Sequence, residues 1–224
     1  MRLSPAEVIL RGRTVITAHS GCENTSPNSR EHIAEAIKSD AEMIEVDVRR
    51  SGTLLYLSHD ISEKPDECVS LDEFLDCVFP YEKIRINFDV KTEELVPFVM
   101  EKVNSRNMAK RAVFTGMCND KKEDIEALGG ELWMSLWPSS DSDGDIMKME
   151  ERCIAEGCPV INLHYSMITE ENFERLKEKR LSFSAWTADT EEEIRRLLEM
   201  GVFNITTRCP RLALKLRKEI QGGI

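Results

Sequence analysis

The chain has 224 residues, 41% of them hydrophobic, with a formal net charge of -11 and a pI near 5.0. Such acidity disfavours nucleic acid and anionic membrane surfaces as generic partners, and no linker-like stretch divides residues 1–224, so a single domain is expected. A small anionic substrate stays open, because a bound metal ion reverses the field inside a cleft.

The opening MRLSPAEVILRGR holds no apolar core of signal-peptide length, and no apolar run is long enough to span a bilayer. The seven cysteines form no CxxC pair, which reads as reduced thiols in a cytoplasmic protein. Cys22, close after His19, reads either as a nucleophile or as a small loop residue; nothing beside it marks an activated thiol, which favours the loop.

Short β-rich runs alternate with helical periodicity. Val15–His19 is the first predicted strand, followed by a helix over Arg30–Ser39 with Ile33, Ala36 and Ile37 on one face. Ile44–Val48 is the second, and Leu54–Ser58 a short extra strand beyond the turn at Gly52. Leu71–Val78 reads as a helix with Ser70 as its N-cap. The third strand, Ile84–Val90, precedes a helix over Glu93–Arg106, and the fourth, Ala112–Thr115, one over Lys121–Leu128. Leu132–Leu136 leads through the polar loop PSSDSDGD to a helix over Ile146–Glu156. Val160–Leu163, Ser182–Trp186 and Phe203–Thr206 complete the series, with helices over Thr169–Lys179, Thr190–Met200 and Arg211–Ile220. With Leu54–Ser58 as an excursion, this is the alternation of a (β/α)8 TIM barrel. A doubly wound sheet shares the pattern, but no Gly-rich fingerprint follows the first strand.

Barrel active sites form at the C-terminal strand ends. Glu45 and Asp47 share one face of their strand, as do Asn87, Asp89 and Lys91, while Val46, Phe88 and Val90 suit the layer under the helices. Inward carboxylates repel one another unless a cation neutralises them, and an all-oxygen set suits Mg²⁺ or Ca²⁺ better than Zn²⁺. The bland alternative has Glu45 and Asp47 pointing outward into solvent. His19 and His59 fall at strand ends near these acids and suit a general base and general acid. His164 either lines the cleft or caps a strand, and His32 reads as a surface residue of the first helix.

These residues, in this order, resemble the glycerophosphodiester phosphodiesterase family, a phospholipase C-like type of TIM barrel. The likeness rests on AHSGCENTSPNS with MIEVDVRRSGTLLYLSHD, on NFDVK, and on SAWTADTEEEIRRLLEMGVFNITTRCP, together spanning nearly the whole chain. The resemblance implies a metal-dependent hydrolase that releases glycerol 3-phosphate and an alcohol. It implies His19 and His59 as the acid–base pair, Glu45, Asp47 and Asp89 as metal ligands, Lys91 against phosphate charge, and Trp186 lining the pocket. Ser20, a candidate substrate contact with Lys91, Trp186, His164 and Arg208, stands where the family usually has arginine, and Lys91, the metal or Arg208 is expected to cover that loss. Asp89 stands where glutamate is usual, as in the related sphingomyelinase D barrels. Only residues 61–70 separate Asp60 from the next helix, so the insertion subdomain common in the family is expected to be largely absent.

The expected partner is a small phosphodiester, without nucleic acid or stable membrane insertion; the oligomeric state stays open. Two other functions compete. A phospholipase D-like lyase on lysophospholipids needs an apolar acyl surface, for which Phe79, Tyr81, Trp133 and Trp137 are the candidates. A non-catalytic phosphate-binding barrel would have lost turnover along with the arginine.

Overall fold

Alternating polarity along the strands builds the barrel wall. The computed structural model describes residues 13–222, so the N-terminal stretch read for an export signal lies almost wholly outside them. The strands are β1 (Val15–Ala18), β2 (Met43–Ser51), β3 (Leu54–Leu57), β4 (Arg85–Val90), β5 (Ala112–Gly116), β6 (Glu131–Leu132), β7 (Met134–Leu136), β8 (Val160–His164), β9 (Ser182–Trp186) and β10 (Asn204–Thr207). Around them lie α1 (Arg30–Lys38), α2 (Leu71–Val78), α3 (Val96–Ser105), α4 (Lys122–Ala127), α5 (Ser142–Glu156), α6 (Glu170–Glu178), α7 (Glu191–Met200) and α8 (Pro210–Gln221).

The pairing order is β6-β5-β4-β2-β1-β10-β9-β8-β7, all parallel, with β3 antiparallel on β2. β6 and β7 are successive pieces of one strand position, separated by Trp133, whose N–H donates to the Phe114 carbonyl at 3.0 Å. This position closes the ring, so the fold is the (β/α)8 barrel and Leu54–Leu57 is the excursion. The predicted fifth strand, Leu132–Leu136, is thus broken at its second residue, Trp133. No inserted subdomain follows β3: a 3₁₀ turn at Pro65–Glu67 leads to α2.

Local chemistry places the helix starts. Ser29, Ser70, Thr169 and Thr190 accept from backbone N–H groups of the first turns, with capping boxes at Thr169/Asn172 and Thr190/Glu193. α5 begins earlier than the sequence suggested. Asp141 caps it through Gly144 N, and Asp143 and Asp145 enter its first turn, where the helix dipole favours acids.

Two apolar layers hold the fold. Outward strand residues such as Ile16, Ile44, Val46, Phe88 and Ile205 pack against the helices. A separate cluster of Val15, Met43, Val113, Trp133, Val160 and Phe203 plugs the barrel at the N-terminal ends of the strands. Trp133 is fully buried and its Nε1 donates to Glu131 Oε1 at 2.7 Å. His32, read from sequence as a surface residue, is instead fully buried, and neither ring nitrogen has a hydrogen-bond partner. The amphipathic face of α1 is wider than periodicity alone indicated, because the loop after β1 folds over it.

Candidate active site

The strand register dictates what meets at the barrel mouth. β2 and β4 pair with Glu45 opposite Asn87 and Asp47 opposite Asp89, and all four side chains line one cleft of about 490 Å³. Glu45 and Asp47 are only 4% and 3% exposed, which rules out the outward, solvated arrangement. With Asp89 they offer one oxygen each within 4.8 Å of one another.

Electrostatics follow from that crowding. Burial, then repulsion from Asp47 and Asp89, pushes the Glu45 carboxyl well above its ordinary value. Burial also acts on Asp47, but contact with Lys91 outweighs it and holds Asp47 below the usual range. Burial raises Asp89 despite Lys91. Lys91 Nζ bridges the pair, contacting Asp47 Oδ1 and donating to Asp89 Oδ2 at 2.7 Å; these acids hold its charge on in spite of burial. One ammonium among three carboxylates leaves excess negative charge, and the donors are all oxygen. The set therefore fits a hard divalent ion, Mg²⁺ or Ca²⁺.

The loop after β1 clamps these acids. Ser20 N donates to Glu45 Oε2 at 2.8 Å, while Asn28 Nδ2 donates to Asp47 Oδ2 at 2.7 Å. His19 lines the cleft, with Nδ1 set 2.7 Å from the Ser20 carbonyl. That carbonyl can only accept, so Nδ1 carries the proton and Nε2 keeps its lone pair. Burial lowers the His19 pKa, opposed by the Ser20 contact, and the ring is neutral at pH 7. His59 lines the same cleft from the segment after β3, with Nδ1 3.1 Å from Asp60 Oδ1.

Trp186 and Arg208 also line the cleft. The Arg208 guanidinium is tied to Asp189 Oδ2 at 2.6 Å. Two expected binders do not reach it. Ser20 is buried with its hydroxyl accepting from Asn28 N at 3.1 Å, and His164 sits edge-on to Trp186 at 5.4 Å with Nδ1 against Ser166 Oγ. His164 thus acts as the cap, accepting from Ser166 N. Cys22 is buried in a 3₁₀ turn with its thiol pushed up to about 12 by burial, unsuited to nucleophilic work.

Sequence reasoning missed several residues. Arg49 continues the Glu45, Asp47 period, and its Nε and Nη2 donate to the His59 carbonyl at 2.9 and 2.7 Å, fixing the second histidine. The same period-two rule could have found it. Gly116 has φ +86°, and a Cβ there would collide with Asp89 Oδ1 and the Val90 carbonyl. Its position ending a strand was the available signal. Thr115, Met117, Ser135 and Asn162 line the cleft as well, beside Thr206 and the expected Trp137, and only the closed barrel assembles them.

No protein-family model and no curated protein matches the chain. Solved structures do. A candidate glycerophosphoryl diester phosphodiesterase of Agrobacterium tumefaciens aligns with TM-score 0.83 at 17% identity, over 94% of this chain and 100% of that one. A glycerophosphodiester phosphodiesterase of Parabacteroides distasonis gives 0.76 at 20% identity, over 92% and 98%. An Oleispira antarctica phosphodiesterase in complex with the product sn-glycerol-3-phosphate gives 0.70 at 16%, over 93% and 98%. At these identities the likeness establishes the fold, the (β/α)8 barrel that this chain shares with them.

Proposed function

We infer that this chain is a metal-dependent phosphodiester hydrolase of the glycerophosphodiester phosphodiesterase type, releasing glycerol 3-phosphate and an alcohol. One observation carries the reading: Glu45, Asp47 and Asp89 converge in the cleft that His19 and His59 also line. Neighbours described as glycerophosphodiester phosphodiesterases support it, as does the phosphodiesterase in complex with the product sn-glycerol-3-phosphate.

Glu45, Asp47 and Asp89 would hold Mg²⁺ or Ca²⁺, with Asn28 and the Ser20 N–H orienting two of them. A bound divalent ion supplies charge stabilisation at the phosphoryl oxygens. His19, neutral with its free Nε2, takes the proton from the attacking oxygen, either that of water, which gives glycerol 3-phosphate directly, or that of a neighbouring substrate hydroxyl, which gives a cyclic phosphate that water opens in a second step. That oxygen bonds to phosphorus as the bond to the leaving alcohol breaks, and His59 delivers the proton to the departing oxygen. Lys91, held beside the acids, faces the phosphate charge; Arg208 brings a guanidinium to the cleft wall in place of the arginine that Ser20 replaces. Trp186 bounds the substrate.

We place this activity on a single barrel domain acting on a small molecule in the cytoplasm, where the seven unpaired cysteines stay reduced. Among the described residues no helix is long and apolar enough to cross a membrane. The lysophospholipid lyase is less well supported: Trp133 is buried in the barrel plug, Phe79 and Tyr81 lie outside the cleft, and only Trp137 of that expected set lines it. The deciding experiment strips metal with chelator, restores Mg²⁺ or Ca²⁺, and follows glycerol 3-phosphate release from glycerophosphocholine and glycerophosphoethanolamine. Metal-dependent release supports the reading. No release with metal bound would refute it and turn attention to lysophospholipids or a non-catalytic barrel.

A further inference from the structure

Charge in the cleft is matched group by group, with one exception. Among the described residues three permanently charged side chains of positive sign line it: Arg49, Lys91 and Arg208. Lys91 is engaged by Asp47 and Asp89. Arg208 keeps its place on the wall, but its Nη1 donates to Asp189 Oδ2 at 2.6 Å and its backbone N–H to Asp189 Oδ1 at 2.7 Å. Arg49 is the one of the three that meets no carboxylate: its Nε and Nη2 both donate to the neutral His59 carbonyl. The acid next to that carbonyl, Asp60, lies against His59 Nδ1 instead, at 3.1 Å.

With a divalent ion on Glu45, Asp47 and Asp89, the ion and Lys91 together balance those carboxylates, and Asp189 balances Arg208. His59 is charged only while it holds the proton it gives away. A phosphodiester carries a single negative charge, and the permanent positive charge left to meet it is that of Arg49. The placement agrees. Glu45, Asp47 and Arg49 take every second position of β2, so Arg49 follows Asp47 by about 7 Å along one face. Its Nε hydrogen and one Nη2 hydrogen are used on His59, which leaves both Nη1 hydrogens and the second Nη2 hydrogen. A guanidinium edge of that kind grips two phosphate oxygens at once, and the His59 carbonyl holds the planar group in place beforehand. The Ser20 hydroxyl, buried and accepting from Asn28 N, offers nothing comparable.

We propose that Arg49 is the phosphate-gripping cation of this cleft, taking the charge of the diester with one edge of its guanidinium while the other edge holds His59. The proposal rests on the hydrolase reading above and adds the residue that receives the substrate's charge. The experiment compares Arg49→Gln, which keeps an amide N–H for the His59 carbonyl but drops the charge, with Arg49→Lys, which keeps the charge but drops the planar fork. Both are measured with Ca²⁺ or Mg²⁺ on glycerophosphocholine and on the p-nitrophenyl ester of glycerol 3-phosphate, whose leaving group departs without a proton. The expected result for Arg49→Gln is a loss of about 10- to 100-fold in kcat/KM with both diesters, partly recovered in Arg49→Lys, at native metal affinity. A loss confined to the choline diester would mean that Arg49 acts only by placing His59. That outcome, native rates in Arg49→Gln, or a loss that follows weakened metal binding overturns the proposal. If the native chain cleaves neither diester, the hydrolase reading falls, and calorimetric titration of the metal-loaded protein with inorganic phosphate decides the rest. Binding weaker by about tenfold or more in Arg49→Gln than in the native chain still upholds the grip, and equal or absent binding removes it too.

Discussion

Asn28 and Asp47 hold each other reciprocally: Asn28 Nδ2 donates to Asp47 Oδ2 at 2.7 Å, and Asp47 N donates to Asn28 Oδ1 at 3.1 Å. The loop after β1 thereby locks a candidate metal ligand on β2. Groups that orient a ligand typically contribute about 10- to 100-fold in affinity. Asn28→Ala should weaken Ca²⁺ or Mg²⁺ binding by that order with the fold intact, read by calorimetric titration and circular dichroism. Unchanged affinity would show that Asp47 needs no such support.

The histidines should separate chemistry from binding. His19→Ala and His59→Ala should each lower turnover by roughly 10²- to 10⁴-fold, as for lost acid–base groups, while metal affinity stays near that of the native chain. Steady-state kinetics beside metal titration test this, and native rates in both variants would contradict the mechanism.

Gly116 tests the close approach of β5 to the acids. An alanine there meets Asp89 Oδ1 and the Val90 carbonyl and holds a left-handed φ of +86°. Gly116→Ala should lose metal affinity by at least as much as Asn28→Ala. In the native chain, metal at about 100 times its Kd should stabilise folding by about 2.7 kcal/mol. Thermal melts with and without Ca²⁺ should show that rise, and the variant should show little of it.

His32 gives a pH signature. Burial brings its pKa from 6.5 down to about 4. Between those values the unfolded chain binds more protons, so stability falls as pH drops from about 6.5 and levels off near 4, by roughly 3 kcal/mol in all. His32→Leu should flatten this part of the profile and retain stability at pH 7. Urea unfolding at pH 7 and 5 decides it; an equal slope in both proteins would assign the effect to other groups.

Much of this was legible in the chain. The strand–helix alternation, the Ser70 cap and the shared face of Glu45 and Asp47 depend on local propensity and period-two geometry, which sequence encodes directly. The break at Trp133 was not legible, because it arises where the ring closes between β5 and β8. Nor was the burial of His32, since the segment covering it comes from another element.

The sequence by itself determined which chemical groups are present and which strand faces carry them. The tertiary structure decided which of them meet. It brought Asn28 onto Asp47, Arg49 onto the His59 carbonyl and Lys91 between two acids, and it left Ser20 and His164 outside the cleft. Local rules fix the direction of a side chain along its own strand. The distance between side chains on different strands depends on barrel closure and loop packing, which only the folded chain sets.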